Sequence, residues 1–330
     1  MNTSPPITAA LTLSLTGPFE RQGTEAAEGM RLWAEAAGVR LMLADDRGSK
    51  DLAVQAYAAW LDGDRPDLLL GPYASGLVRA VVPVVRGAGR LLWNHGGSAD
   101  DLARPGVVCL PAPASSYFEG VVDQAVARQV DRLVVVQGAG PFARAVAGGA
   151  LARASARGLE ARTVDAAAVD AEAAARTGTA VLVVGRFEQD VAVVRRLSGR
   201  WRAPALLAAV AAGIAAFGQE LGEAAEGVLG PVQWWPSART PEVGPSGIDF
   251  AADYQRRTGQ EPSYPAAQAA AAGYLGHAAH RLGVAAEDMP RWATSTLLGE
   301  FALDAAWRQV GHRVTTVRWQ GGRMVPIAEC

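Results

Sequence analysis

Short runs of leucine, valine and isoleucine alternate with longer amphipathic segments rich in alanine, arginine and glutamate through the first 235 of the 330 residues. The spacing predicts strands near 6–15, 39–44, 67–71, 90–94 and 106–110, and a second series near 132–137, 159–164, 179–184, 204–209 and 227–233. Helices are predicted between them, near 22–37, 51–62, 76–87, 116–129, 142–157, 187–199 and 212–222. A strand–helix–strand rhythm of this kind builds parallel sheets with helices on both faces. Ten strands exceed what one compact twisted sheet usually holds, so two sheets are expected. The two series also echo each other. Asp67 to Gly71 opens a helix carrying Leu77, Val78, Val81 and Val82, and Ala180 to Gly185 opens one carrying Val191, Val193 and Val194. One α/β unit used twice accounts for both.

Beyond residue 235 the rhythm breaks. A Pro- and Gly-containing loop at 236–247 is followed by helices near 248–258 and 264–283, and the tail at 314–327 reads as a β-hairpin turning at Gly321-Gly322. Helices that come after two completed sheets must return to one of them. The chain is therefore expected to cross between its halves more than once, with residues 1–114 plus 238–298 in one lobe and 115–237 plus 299–330 in the other.

Composition excludes several classes. Half the residues are hydrophobic, 19% are charged and the formal net charge is -2, which suits a globular chain with two cores. Basic residues are scattered, and Lys50 is the only lysine, so no nucleic-acid surface is indicated. Of the two cysteines, Cys109 falls in the apolar run 107–110 and reads as a small buried hydrophobe; a bridge to Cys330 stays open, but no disulfide framework is implied. The four histidines are dispersed, so no metal site or cofactor is expected. Residues 1–7 carry neither a basic region nor an apolar core. The chain as written is thus expected in the cytoplasm, or in the periplasm where a leader precedes it. No apolar run is long enough to span a bilayer, so no membrane insertion is expected.

Two loops stand out. Leu68-Leu-Leu-Gly71-Pro-Tyr73-Ala74-Ser75 and Leu91-Leu-Trp93-Asn94-His95-Gly96-Gly97-Ser98 both end an apolar run with small residues and a serine where a helix is predicted to begin. A helix start carries unpaired N–H groups and partial positive charge. Two such starts at one sheet edge make a socket for a carboxylate, to which Ser75 and Ser98 would add hydroxyls. The plainer reading makes both serines helix N-caps.

The ordered set of motifs resembles the type I periplasmic binding proteins, and within them the branched-chain amino acid (Leu/Ile/Val) receptors of ABC transporters. The resemblance rests on Leu15-Thr-Gly-Pro-Phe-Glu-Arg-Gln22-Gly23, on 28–32, on Ala44-Asp45-Asp46 with Ala53 and Ala56, on Gly71 to Gly76, on Asn94 to Leu102, on Gly222 to Val228 and on Gly259 to Tyr264. It implies two doubly wound parallel-sheet lobes joined by a three-strand hinge, a ligand cleft between the lobes, and no chemistry. By position, Ser75 and the turn Gly96-Gly97-Ser98 match the groups that hold the ligand carboxylate, with Tyr73, Ala74 and His95 flanking them. Gln22 falls where a cleft tyrosine is frequent, Phe142 where an aromatic closes over the ligand, and Arg186 where another aromatic is common. Val210 occupies the place of the acid that pairs with the ligand's ammonium. An ammonium facing valine loses hydration with no replacement, at a cost of about several kcal/mol. The resemblance and this departure together imply a carboxylate ligand that is a keto, dicarboxylic or aromatic acid rather than a simple α-amino acid. Arg186 would favour a second acceptor, and Trp93, Tyr73, Tyr117, Phe142 and Trp234 would supply flat walls. An acid from Glu119, Asp45 or Asp46 remains an alternative partner for an ammonium.

Three other readings follow from the residues. Gly138-Ala-Gly140-Pro141-Phe-Ala143 with Asp165 after the next strand has the outline of a dinucleotide fingerprint, although Pro141 removes a donor and no catalytic set follows. His95-Gly-Gly-Ser98 resembles an esterase oxyanion loop but lacks the G-x-S-x-G nucleophile turn. Of two binding roles, the resemblance makes the transport receptor with a membrane permease as partner the expected one; the alternative is a cytoplasmic ligand sensor of the amide-sensing type with a regulatory protein as partner, which the lack of a leader-like start favours.

Overall fold

The computed structural model describes residues 6–169, 178–198 and 204–327, and these form two compact units. The first unit runs to Ala112 and resumes over Trp234–Arg313; the second holds Pro113–Gln233 and resumes at Val314.

The first unit opens with five parallel strands, β1 (Thr8–Leu13), β2 (Arg40–Asp45), β3 (Leu68–Leu70), β4 (Leu92–Asn94) and β5 (Val107–Cys109), in the order β2-β1-β3-β4-β5. Helices α1 (Glu20–Ala37), α2 (Lys50–Asp62) and α3 (Ser75–Gly87) connect them. Helix α1 stops at Gly38, whose left-handed φ of 65° lets its N–H reach back to the last carbonyls. Ser49 starts α2 by accepting from the N–H of Leu52. The sheet separates two apolar layers. Met30 and Trp33 of α1 lie in one; Tyr57 of α2 and Val78, Val81 and Val85 of α3 lie in the other. Burial on both faces explains why β3 reads as an unbroken apolar run.

The second unit repeats this winding. Strands β6 (Arg132–Gln137), β7 (Glu160–Val164), β8 (Thr179–Val184), β9 (Leu206–Ala209) and β10 (Leu229–Val232) lie parallel in the order β7-β6-β8-β9-β10. Helices α4 (Glu119–Ala127), α5 (Pro141–Ala156), α6 (Phe187–Ser198) and α7 (Ala215–Leu221) belong to it. The echo between the two halves is thus a shared strand order. The helix predicted at 116–129 is split, with a 3-10 turn at Ala114–Ser116 before α4, and that at 212–222 is preceded by a 3-10 turn at Val210–Gly213.

The chain then returns to the first unit as α8 (Gly247–Thr258) and α9 (Tyr264–Leu282), whose alanine-rich face packs against α1. A short hairpin follows, β11 (Thr294–Thr296) with β12 (Gly299–Phe301), which the sequence reading does not contain. It carries the third crossing to Arg313/Val314 rather than 298/299. Phe301, Leu303 and Trp307 join the first unit's core, and the Gln309 amide donates to the Leu110 carbonyl at 3.3 Å. Strands β13 (Thr315–Gln320) and β14 (Arg323–Pro326) form the predicted hairpin and extend the second sheet antiparallel to β10. Cys109 is a buried free thiol; Cys330 lies outside the described residues.

Candidate functional site

In an open parallel sheet, ligands bind outside the carboxyl ends of the strands, where the winding reverses. In the first unit that point lies between β1 and β3, because α1 and α3 leave toward opposite faces. The β3–α3 and β4 turns meet there. Tyr73 and Gly96 form a parallel bridge, and the Ala99 N–H donates to the Ser75 hydroxyl oxygen at 3.1 Å. Only glycine permits this approach, since a Cβ on Gly96 would stand 2.6 Å from the Tyr73 Cα.

Ser75 is the first residue of α3, not its cap. The cap position belongs to Ala74, which makes no side-chain capping bond and adopts φ 80°, ψ 134°. That conformation is strained for a residue with a Cβ. The N–H groups of Ser75 and Gly76 stand in the first turn, where no intrahelical acceptor exists. With the Ser75 oxygen accepting from Ala99, its own O–H is left to donate.

The second loop differs from expectation. No α-helix begins after Ser98; a single 3-10 turn, Asp100–Leu102, follows. The Gly96 and Gly97 N–H groups are also taken, at 3.2 and 2.8 Å, by the Asn94 side-chain oxygen. The Asn94 amide donates to the Gly97 carbonyl at 2.7 Å and to the Cys109 sulfur at 3.2 Å. Asn94 therefore shapes this turn and consumes donors the socket was expected to offer. Ser98 is half-buried, and its hydroxyl has no partner among the described residues. Arg79 of α3 holds the turn in place through two 2.7 Å bonds to Asp101, which lower the Asp101 pKa.

Aromatic rings border the same edge. Tyr73 meets Phe19 edge-to-face at 6.1 Å, and its hydroxyl lies 2.6 Å from that of Tyr264 at the start of α9. Neither Phe19 nor Tyr264 stands out as a site residue in the sequence; both follow motif positions whose convergence only the fold reveals. Gln22 is half-buried in the first turn of α1. His95 is completely buried, and its ring nitrogens make no hydrogen bond, although the Gly71 carbonyl faces the ring without bonding geometry. Burial pushes its pKa down to about 4, so it is a neutral core residue rather than a ligand contact. Trp93 is likewise core.

Asp45 and Asp46 are committed to local structure. Asp45 accepts from the N–H groups of Leu15 and Arg47 and from the Thr16 hydroxyl. Asp46 accepts from the Ser14 hydroxyl at 2.6 Å and the Gly48 N–H at 2.9 Å. Trp234 is a correction: it lies in the first unit's core, 6% exposed, against Phe250, and its indole N–H donates to the Leu297 carbonyl at 3.0 Å.

In the second unit the equivalent reversal lies between β6 and β8. Tyr117 and Phe142 meet edge-to-face at 5.3 Å. Arg186 is exposed and its N–H donates to the Gln189 side-chain oxygen at 3.1 Å. Val210 is half-buried at the head of the 210–213 turn, and Glu119 is exposed at the start of α4. Asp190, which no motif points to, is 1% exposed and accepts from the Ala211 N–H at 3.1 Å. In the dinucleotide outline, one carboxylate oxygen of Asp165 accepts from the N–H groups of Ala167 and Ala168 at 2.9 Å each.

No helix of the described residues is long and apolar enough to cross a membrane. A family model described as periplasmic binding protein matches residues 6–323. Among solved structures, a leucine-binding protein from Thermotoga maritima is 20% identical, with a TM-score of 0.77 over 98% of each chain. An amino acid ABC transporter substrate-binding protein from Pseudomonas fluorescens is 18% identical, with a TM-score of 0.81 over 99% of this chain and 96% of that one. An ABC transporter solute-binding protein from R. palustris, solved with benzoate, is 16% identical, with a TM-score of 0.73 over 98% and 96%. These likenesses agree with the shared strand order of the two units, and with the match over nearly its whole length this chain belongs to the periplasmic binding protein family, with the type I fold.

Proposed function

We propose that the protein is a solute receptor that delivers a small carboxylate to the permease of an ABC transporter, and that the carboxylate is an aromatic, keto or dicarboxylic acid rather than an α-amino acid. The observation that carries this reading is the fusion of the β3–α3 and β4 turns, through the Tyr73–Gly96 bridge and the Ser75–Ala99 bond, beside the uncapped start of α3. Four donors of these two turns are the candidates to meet the carboxylate: the N–H groups of Ser75 and Gly76 and the hydroxyls of Ser75 and Ser98. They suit one carboxylate through charge-assisted hydrogen bonds. Phe19, Tyr73 and Tyr264 beside them favour a flat acid, and one structural relative was solved with benzoate. From the second unit, Tyr117, Phe142, Arg186 and Val210 are the candidates. The turn at 210–213 presents no exposed acid, so an ammonium would find no counter-charge there.

A thermal-shift screen tests this reading, with benzoate and hydroxybenzoates, 2-keto acids, dicarboxylates and the branched-chain amino acids side by side. Stabilisation by an acid without an ammonium group, confirmed by calorimetry, is the expected result. Micromolar binding of leucine or valine would sink it.

A further inference from the structure

Asp190 is a buried acid that the proposed recognition does not use. It stands in the first turn of α6, 1% exposed, with one carboxyl oxygen accepting from the Ala211 N–H at 3.1 Å. The other oxygen makes no bond of good geometry among the described residues, although the Gly185 N–H faces it. It lies against Gly185, where a Cβ would come within 3.2 Å of it. Gly185 follows β8 and in turn abuts Gly138, which follows β6; a Cβ on Gly138 would stand 2.8 Å from the Gly185 Cα. The carboxyl is thus sunk directly behind the place where the second unit's winding reverses, touching both turns that carry candidate ligand contacts, Arg186 on one and Val210 on the other.

Among the described residues no cation compensates it. Packed against α6 are β8, β9, the 210–213 turn, α7 and the 222–225 turn. Their ionisable side chains are Glu220 and Glu223, both acids. On α6 itself, Glu188 is exposed, Arg195 donates to the Glu220 carbonyl and Arg196 to the Ala166 carbonyl. Arg186, four residues before Asp190, is exposed. A carboxylate in such surroundings is favoured in its neutral form. Burial pushes the Asp190 pKa up to about 7.

We propose that Asp190 is a proton-linked positioning residue: its neutral carboxyl seats the Val210–Gly213 turn against the β8–α6 turn, and its ionisation disturbs both. When it loses its proton, the carboxylate draws harder on the Ala211 and Gly185 N–H groups and so shifts the turns that carry them, while Gln189 already holds the N–H of Arg186. A consequence for binding rests on the preceding reading of these turns as ligand-facing. If the neutral form is the competent one, apparent affinity for benzoate falls about tenfold between pH 6 and pH 8, as the neutral fraction falls from about 0.9 to about 0.1.

The test uses the full chain. Amide resonances of Ala211 and Arg186 are followed by NMR from pH 5 to 9 without ligand, in the wild type and in Asp190→Asn, and benzoate is titrated at pH 6 and 8. The expected result is a shared amide midpoint near 7 that the variant lacks, with tenfold weaker benzoate binding at pH 8 in the wild type only. A midpoint in the ordinary carboxylate range near 4, or a pH dependence that persists in Asp190→Asn, overturns the proposal. Should the variant fail to fold, the wild-type midpoint decides alone. Should benzoate fail to bind at either pH while the amides titrate near 7, the aromatic-acid reading falls and the coupling of the turns stands.

Discussion

The two serines of the candidate site answer to different tests. The Ser75 oxygen already serves the protein, holding the half-buried Ala99 N–H at 3.1 Å. Ser98 has no partner among the described residues and is half-exposed. Ser98→Ala should therefore leave unfolding free energy within about 0.5 kcal/mol of wild type, as for a surface change away from any bonded network. Ser75→Ala leaves the Ala99 N–H without its acceptor and loosens the joint between the two turns, a cost of about 1–2 kcal/mol of stability. Both remove an O–H donor from the acid, and a hydrogen bond to a charged acceptor contributes about 1.5–3 kcal/mol. Each variant should thus bind the acid found in the ligand screen roughly 10- to 150-fold more weakly. Urea unfolding and calorimetry, run on both variants with that acid, separate the two quantities. Unchanged affinity in Ser98→Ala refutes the carboxylate assignment, and equal destabilisation by both variants refutes the claim that only Ser75 joins the turns.

Ala74 holds φ 80° with a Cβ, so Ala74→Gly should raise stability by about 0.5–2 kcal/mol, the relieved strain less the added chain entropy; urea unfolding that shows a loss contradicts the strained cap. Gly96→Ala places a Cβ 2.6 Å from the Tyr73 backbone and should cost about 1–3 kcal/mol while abolishing detectable acid binding by calorimetry. Asp190 binds its proton more tightly folded than unfolded, so its contribution to stability is full below about pH 4, falls as pH rises toward about 7, and is lost above. A shift from 3.8 to about 7 corresponds to roughly 4 kcal/mol. Denaturant unfolding should show Asp190→Asn gaining on wild type across that window; a parallel pH dependence in the two proteins refutes the buried neutral acid.

Legibility in this sequence followed the number of faces a segment buries. Strand β8 is buried at every residue, so Thr179 to Val184 announces itself as a strand, and the same holds for β1 after its first residue. The hairpin β11–β12 gives no such signal because the buried positions of β11 are polar and β12 buries only Phe301. Ser295 accepts the Glu242 N–H, and the Thr294 hydroxyl donates to the Glu242 carboxylate, so pairing with a distant loop replaces apolar burial. The site divides in the same way. The Ser75 turn was readable because an apolar run, a small-residue break and an apolar-faced helix are all local. The helix expected after Ser98 failed for a reason also present in the sequence: Pro105 bars helical geometry at Arg104, and Gly106 turns at φ 88°, which leaves room for one 3-10 turn. Asp190 is the most instructive residue. An acid in a helix's first turn is ordinary, yet Phe187, Asp190, Val191, Val194 and Leu197 fall at helical spacing on one stripe, and every other member of that stripe packs into the core. An acid on an apolar stripe is either expelled with its helix or buried at the cost of its charge. Three parallel strand ends with Gly138 and Gly185 where side chains would stand make the space for the second outcome. The chain thus keeps a carboxyl where valine would leave the buried Ala211 N–H without its acceptor, at a place in the second unit where both candidate ligand turns rest on it.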